Sequence, residues 1–328
     1  MSSNSICDYP RFEVFQYVFA RLIVGRLCVP FFFVISGYFF FTRLEDKLTF
    51  SYFERKIKTR LRSILLPYLI ANTLILLYVL LLREMLGLEC TEGYNTLVAC
   101  FWGHPVHGFP IDMPLWYLKD LLMLSIISPV LYFVIKRIGL VFLVITGILW
   151  YVDVQIPYNI VHDNFGSVLF FSIGAFFTIH KYDLVNFFSK RNIGISILFF
   201  YLLCLIITSI TRNEYMAKTL SVLAFPVAIF ITSSIYKRRT IGSDRGGGKF
   251  LFDKTQVTAT FFVFLYHYYI PAPVTKIIAG LIANHTVEMS LYIQLLLGVA
   301  EKTAYLLFLY YMLRRFLPKA TSIVVGGR

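Results

Sequence analysis

The sequence predicts an all-α fold, a polytopic integral membrane helix bundle, on three observations. Of the 328 residues, 58% are hydrophobic, and the mean hydropathy is +0.71. Only 15% are charged, whereas an average soluble protein has about 25% charged residues. The apolar residues fall into about nine runs, and a membrane-spanning helix needs roughly 20 such residues.

One uncharged aromatic run, segment 29–41, stands at the beginning of this pattern. It contains the pair Ser36-Gly37, and small residues allow membrane helices to pack closely. A basic segment, 43–62, follows it directly. An apolar run that ends at a basic segment is typical of membrane proteins, because their cytoplasmic loops are enriched in lysine and arginine.

The expected spans follow one another along the whole chain. They cover 12–41 (with the membrane part from Leu22), 64–82, 115–135, 138–152, 165–179, 193–210, 220–236, 258–270 and 291–313. A further apolar piece, 97–102, is too short to cross a bilayer. We therefore expect one membrane domain over residues 1–328, with no room for a sizeable soluble domain.

The distribution of lysine and arginine orients these spans. Segment 43–62 holds seven basic residues, loop 83–113 holds one, and loop 153–164 holds none. Rich and poor loops continue to alternate up to the basic C-terminal tail. Because the basic loops of membrane proteins are cytoplasmic, the C-terminus is expected in the cytoplasm and the N-terminus outside.

The net charge of +13 has the same origin. It would suggest a nucleic-acid partner in a soluble protein, but here the basic residues are spread over loops between apolar runs. We expect no nucleic-acid partner. We also expect no metal site: His104 and His107 are three residues apart, but Pro105 lies between them and favours a turn.

Ionisable side chains inside apolar runs are costly and therefore mark candidate functional sites. Lys119 and Asp120 lie one turn inside the third expected span. They are either an interface-level pair, with Lys119 extending to the surface, or charged groups that line a substrate cavity. His267 lies in an aromatic stretch of the eighth span, where it is either a packing residue or a catalytic base.

Two arginines, Arg60 and Arg62, precede the second expected span. They either anchor the topology or bind a phosphate-rich cofactor, since guanidinium groups bind phosphate oxygens bidentately. Ser36 could serve as a nucleophile only beside a base, and the sequence places none there. Segment 244–249 is rich in glycine but lacks the strand and helix that flank a phosphate-binding loop.

The motifs together resemble the acyltransferase 3 family of bacterial membrane O-acetyltransferases. The resemblance rests on VPFFFVISGY at 29–38, on Arg60 followed by LPY at 66–68, and on PLWYLKDL at 114–121. Weaker matches follow in the family's order at 128–129, 171–175 and 266–267. The likeness covers the chain from about Val24 onward.

This resemblance implies a ten-helix protein of the bacterial inner membrane. It implies transfer of an acyl group, usually acetyl from cytosolic acetyl-CoA, to a hydroxyl of a glycan or lipid-linked sugar, next to membrane lipid and without a metal. Acyl-CoA is expected near Arg60 and Arg62. The substrate cavity is expected to be lined by Ser36, Tyr38, Trp116, Lys119 and Asp120. Lys119 stands where many family members carry arginine.

The chain departs from the family at its beginning. The family's first helix carries an arginine and then a histidine that is the presumed base, and segment 29–38 already corresponds to the second helix. Nine spans with an outside N-terminus agree with a ten-helix bundle that lacks one helix. We therefore expect a missing first helix, through a late start codon or a truncated gene rather than a loss of catalysis.

Three functional interpretations stay open. In the first, the protein is an O-acyltransferase, inactive if the base is missing, and His267 supports the acceptor side or the structure. In the second, it is a glycolipid transporter or flippase, although the internal repeats typical of alternating access are not seen. In the third, the chain is an inactive remnant.

Overall fold

The computed structural model describes residues 9–42, 50–86, 94, 96–104, 108–156, 161–241, 253–283 and 286–327. All regular secondary structure in these residues is helical. The helices are Pro10–Gln16, Tyr17–Gly25 (π-helical), Arg26–Phe41, Phe50–Arg60, Leu61–Leu65 (π-helical), Leu66–Leu86, Leu97–Phe101, Met113–Leu115 (3-10), Trp116–Ile126, Ser128–Tyr151, Phe165–Ile179, Leu184–Phe188, Arg191–Thr211, Glu214–Ile241, Lys254–Tyr266, Pro273–Ala283, Val287–Phe316 and Pro318–Val324.

Six helical runs in the described residues are long and apolar enough to cross a membrane. They are Pro10–Phe41, Ser51–Leu82, Ser128–Tyr151, Arg191–Thr211, Glu214–Lys237 and Val287–Phe316. Two shorter apolar helices are Phe165–Ile179 and Pro273–Ala283. The predicted multi-pass helix bundle is thus confirmed, whereas the count of nine spans stays a prediction.

The structure corrects the expected span 115–135, which it divides at Ile127, before the helix Ser128–Tyr151. This break precedes Pro129, because proline lacks an N–H and its ring excludes the carbonyl four residues earlier. In the first turn of the new helix the same ring is well tolerated. The limit expected between 135 and 138 coincides with a kink at Ile138, where the backbone is non-helical (φ −130°, ψ 34°).

The expected span 258–270 is also displaced. The helix begins at Lys254, where Asp253 and Gln256 form a capping box, and it ends at Tyr266. A separate helix, Pro273–Ala283, follows the two prolines. The capping box provides partners for two N–H groups at the helix start, which explains the earlier beginning.

The chain forms two compact units. Unit 1 comprises Met1–Glu54, Met123–Pro157 and Asp163–Lys249, and unit 2 comprises Arg55–Leu122, Tyr158–His162 and Phe250–Arg328. The single domain expected over residues 1–328 stays a prediction.

Unit 1 is built around a close helix crossing at two glycines, Gly37 and Gly174. A Cβ atom at Gly37 would collide with the backbone carbonyl of Phe171, and one at Gly174 would collide with the carbonyl of Val34. The two backbones therefore touch directly, as small residues allow in membrane helices. The interpretation of Ser36-Gly37 as a close-packing pair is confirmed at Gly37.

Unit 2 contains a carboxylate in its last long helix, Glu301. This side chain accepts hydrogen bonds from the backbone N–H groups of Val274 and Thr275, at 3.0 and 2.7 Å, and from the Thr275 hydroxyl at 2.6 Å. It therefore caps the helix that begins at Pro273. A carboxylate is stabilised there, because the N–H groups at a helix start lack internal partners.

Candidate functional site

The candidate site of unit 2 surrounds the beginning of the Trp116–Ile126 helix. The chain turns sharply before it, at Gly103 (φ 155°) and Gly108 (φ 69°). Across this turn the His104 N–H donates to Phe109 O at 2.7 Å, and the Gly108 N–H donates to His104 O at 2.8 Å. A turn at His104 is thus confirmed, while His107 lies outside the described residues.

Lys119 is buried, with 3% of its surface exposed. Its ammonium group donates a hydrogen bond to the carbonyl oxygen of Trp102 at 2.9 Å and lies 5.4 Å from the centre of that indole ring. An extension of Lys119 to the surface is therefore wrong. The charge is held inside unit 2 against an aromatic ring, which favours cations through its π-face.

Asp120 is fully buried and anchors a distant turn of the chain. Its Oδ1 accepts a hydrogen bond from the backbone N–H of His162 at 2.7 Å. This contact fixes the short connection before the Phe165–Ile179 helix against the helix that carries Asp120. At least this oxygen of Asp120 therefore has a structural role.

His162 is the histidine that this contact brings to the site. Its ring lies 4.0 Å from the ring of Phe109 and 5.0 Å from that of Trp116, measured between centroids. Burial lowers the pKa of His162 to about 4, and the charge of Lys119 acts in the same direction, against a hydrogen bond to the Gly108 backbone. The imidazole is therefore neutral near pH 7.

Asp112 lies just before the same helix, with 1% of its surface exposed. Its backbone N–H donates to Asn72 Oδ1 at 3.2 Å, but its Oδ2 has no hydrogen-bond partner among the described residues. The carboxyl is in electrostatic range of Tyr68 and Tyr266. Burial raises the pKa of Asp112 to about 7, as expected for a desolvated carboxyl.

Arg60 and Arg62 flank the start of the π-helical turn Leu61–Leu65. Arg60 is half-buried and interacts electrostatically with Tyr117. Arg62 is exposed, and its guanidinium lies 3.4 Å from where a Cβ atom of Gly327 would stand. The two side chains thus have different surroundings, and their role in cofactor binding stays a prediction.

The other predicted site residues are divided between the two units. His267 belongs to unit 2 and follows the end of its helix, and its Nδ1 is 3.0 Å from the carbonyl oxygen of Phe264. Ser36 and Tyr38 belong to unit 1, whereas Trp116 belongs to unit 2. A cavity shared by these residues stays a prediction.

Unit 1 has a charged cavity of about 300 Å³. Glu214 lies in its wall and pairs with both Arg21 and Arg26, at 2.5 and 2.6 Å. Lys218 pairs with Asp153 at 2.6 Å and also donates to the carbonyl oxygens at the end of the Ser128–Tyr151 helix. The cations that line this cavity, Arg21, Arg26 and Lys218, are therefore paired with carboxylates of the same unit.

Sequence reasoning missed His162, Asp112 and Asn72. His162 lies 42 residues from Asp120 along the chain and belongs to no motif. Asp112 offered a signal, because it is an acidic residue two positions before the PLWYLKDL motif. An acidic residue next to such a motif is therefore a further candidate for a site residue.

The comparisons with known proteins agree with this fold. A model of the acyltransferase domain family matches residues 5–300. The succinoglycan biosynthesis protein ExoH of Rhizobium meliloti (strain 1021) is 30% identical over 173 residues, which are 51% of this chain and 45% of that protein, so the chain spans about half the length of this relative. No solved structure matches. Because the family model covers most of the chain, the chain belongs to the acyltransferase 3 family.

Proposed function

We propose that this protein takes part in membrane O-acylation, in which an acyl group moves from acyl-CoA to a hydroxyl of a glycan or lipid-linked sugar. Family membership supports the reaction type. The name of the succinoglycan biosynthesis relative supports a polysaccharide acceptor. We further propose acetyl as the acyl group, the bacterial inner membrane as the location, and a cytoplasmic donor near Arg60 and Arg62.

The observation that carries this proposal is the buried cluster of unit 2. Trp116 and Trp102 offer aromatic faces, Lys119 offers a buried positive charge, and His162 is a neutral imidazole. Ligand sites generally combine apolar and aromatic walls with a few placed polar groups. We assign to this cluster the acceptor sugar, and to Lys119 the stabilisation of negative charge on the thioester oxygen.

In this reaction the acyl group moves from the sulfur of CoA to an oxygen of the sugar. The sugar hydroxyl loses its proton to a base, and its oxygen forms a bond with the thioester carbonyl carbon. The carbon–sulfur bond then breaks, and the CoA sulfur takes up a proton. We propose His267 as a supporting group on the acceptor side rather than as the base.

A transfer assay tests this function. Membranes that contain the chain receive acetyl-CoA labelled in the acetyl group, and label in the glycan and glycolipid fractions is measured. We expect transfer to a glycan fraction, and Lys119→Gln should lower its rate by about 100-fold, as for a lost oxyanion donor.

The matched control is Lys276→Gln, which removes an exposed lysine of unit 2 and should leave the rate unchanged. Absence of label from every glycan fraction would contradict the function. Movement of an unacylated glycolipid across the membrane, without label transfer, would favour the flippase alternative instead.

A further inference from the structure

A second cavity, of about 250 Å³, lies within unit 2. It is formed by the beginning of the Lys254–Tyr266 helix, the end of the Val287–Phe316 helix and the C-terminal helix Pro318–Val324. Among its lining residues are Lys254, Thr258, Tyr310, Arg314 and Ser322. None of these residues belongs to the cluster around Trp116.

The cavity carries two positive charges that the described residues leave unmatched. Lys254 and Arg314 are both exposed, and no carboxylate of the described residues forms an ion pair with either of them. The acidic neighbour of Lys254 in the chain, Asp253, is occupied by the capping box with Gln256. The wall of the cavity is therefore cationic.

Tyr310 provides a third donor, of a different kind. The residue is only 2% exposed and its ring packs 5.6 Å from that of Phe262, yet it lines the cavity. No described residue forms a hydrogen bond with its hydroxyl. The hydroxyl is not one of the buried polar atoms that lack a partner, so it is a donor that a group in the cavity can reach.

Two threonine hydroxyls of the cavity are already used as donors. Thr258 donates to Lys254 O at 2.8 Å, and Thr321 donates to Leu317 O at 2.9 Å. The donors that remain include those of Lys254, Arg314 and Tyr310, and the hydroxyls of Thr255 and Ser322 also line the cavity. Two cations and one hydroxyl match an oxyanion with several acceptor oxygens, and arginine in particular suits phosphate.

The C-terminal turn connects this cavity with Arg62. Val325 lines the cavity, and the next residue, Gly326, packs against the backbone of Ser63. Gly327 in turn lies beside the guanidinium of Arg62. The predicted phosphate-binding arginine and the cationic cavity therefore lie at the same end of unit 2.

We propose that this cavity is a phosphate-binding site, and that it holds a phosphate of the acyl-CoA donor. The identity of the ligand rests on the proposed function. The headgroup of an anionic lipid offers the same phosphate chemistry, so the experiment separates the two sources. Lys254, Arg314 and Tyr310 are the residues that bind the phosphate.

Binding to the full-length chain in nanodiscs of neutral lipid tests the site. The probes are coenzyme A, 3′-dephospho-coenzyme A and inorganic phosphate, with affinities measured by titration calorimetry. Arg314→Gln should weaken coenzyme A binding by about tenfold or more, since a charge-assisted hydrogen bond is lost. Tyr310→Phe, which keeps the ring, should weaken it by several-fold. The matched control is Arg315→Gln, which changes the next residue of the same helix and should leave the affinity unchanged.

Equal affinity of wild type, Arg314→Gln and Tyr310→Phe for coenzyme A and inorganic phosphate would overturn the site, provided that the variants keep the thermal stability of the wild type. In nanodiscs of phosphatidylglycerol, the lipid is the ligand that competes with phosphate. If this lipid competes with phosphate for wild type but not for Arg314→Gln, and if the variant keeps its affinity for coenzyme A, the cavity is a phosphate site that binds lipid. Phosphate binding without any acyl transfer would contradict the proposed function alone. Acyl transfer with unchanged binding in both variants would contradict this inference alone.

Discussion

The buried carboxyl of Asp112 makes the stability of the folded protein depend on pH. One of its oxygens has no partner among the described residues, and burial raises its pKa to about 7. In the unfolded chain the same group titrates near pH 4. Between these two values the folded protein keeps a proton that the unfolded chain releases, so the contribution of Asp112 to stability falls as the pH rises.

The substitution Asp112→Asn tests this account. The amide cannot ionise, so the variant should lose the destabilisation that wild type acquires between about pH 4 and pH 7. We expect a variant that is more stable than wild type at pH 8, by on the order of a few kcal/mol, and similar to it at pH 4. Thermal unfolding in detergent across this range measures the difference.

The stability of Asp112→Asn is compared with that of wild type at each pH because His162 also titrates in this range in both proteins. The pKa of His162 is lowered to about 4, so its contribution is present above the unfolded value near 6.5 and is lost as the pH falls toward 4. The two groups therefore act with opposite signs. A difference profile that is flat between pH 4 and pH 8 would contradict the burial of the Asp112 carboxyl.

Some residues of the candidate site could be predicted from the sequence, and others could not. Lys119 and Asp120 could be found because two charges in an apolar run are conspicuous. Their partners could not be found, since Trp102 and His162 come from distant loops and no short-range pattern specifies such contacts. Of the two alternatives for Lys119, the outward one is wrong because the carbonyl oxygen and the ring of Trp102 lie within its reach inside unit 2.

At the scale of the helix, the crossing at Gly37 and Gly174 is the contact most sensitive to a single methyl group. A Cβ atom at either position would meet backbone atoms of the opposite helix. Backbone cannot rotate away as a flexible side chain can, so the helices themselves would have to separate. Such overpacking typically costs about 1–3 kcal/mol.

We therefore expect Gly37→Ala to lower the stability of the protein by about 1–3 kcal/mol or more. The matched control is Gly280→Ala, in the middle of the Pro273–Ala283 helix, where an added Cβ atom meets nothing within 4 Å. There alanine should stabilise by up to about 1 kcal/mol, because it has the higher helix propensity. Denaturation of both variants in one detergent compares them, and equal stability would refute the tight crossing.

Hydrophobic runs predicted most helices but not their breaks. The expected span 165–179 agrees with the helix Phe165–Ile179, since charged and polar loops bound it on both sides. The break before Pro129 was missed because the residues around it are apolar, so hydropathy does not change there. The limit expected at Lys136 and Arg137 falls next to the kink at Ile138, where the backbone is non-helical.

For the whole molecule, the arrangement of charge along the chain predicts an orientation. Six helical runs of the described residues can span a membrane, and the basic loops are expected on the cytoplasmic side. A fluorescent protein fused after Arg328 should therefore fluoresce, and alkaline phosphatase fused at the same place should be inactive. The reverse pair of results would contradict the cytoplasmic C-terminus.

The architecture and the family could be predicted from the sequence as a whole, because composition and ordered motifs are distributed along its entire length. The assembly of the site could not. Ser36 and Tyr38 belong to one compact unit and Trp116 to the other, so a cavity lined by all three stays a prediction. The phosphate-binding cavity was missed because its three donors belong to two helices and no motif.

The contact between Gly37 and Gly174 also limits how descendants of this gene can change. Each position is closed by the main chain of the opposite helix, and every amino acid has the same main chain. No second substitution at Phe171 or Val34 can therefore make room for a larger residue, in contrast to a clash between side chains. In a library that randomises these four positions, survivors should keep both glycines whichever residues they carry at Val34 and Phe171.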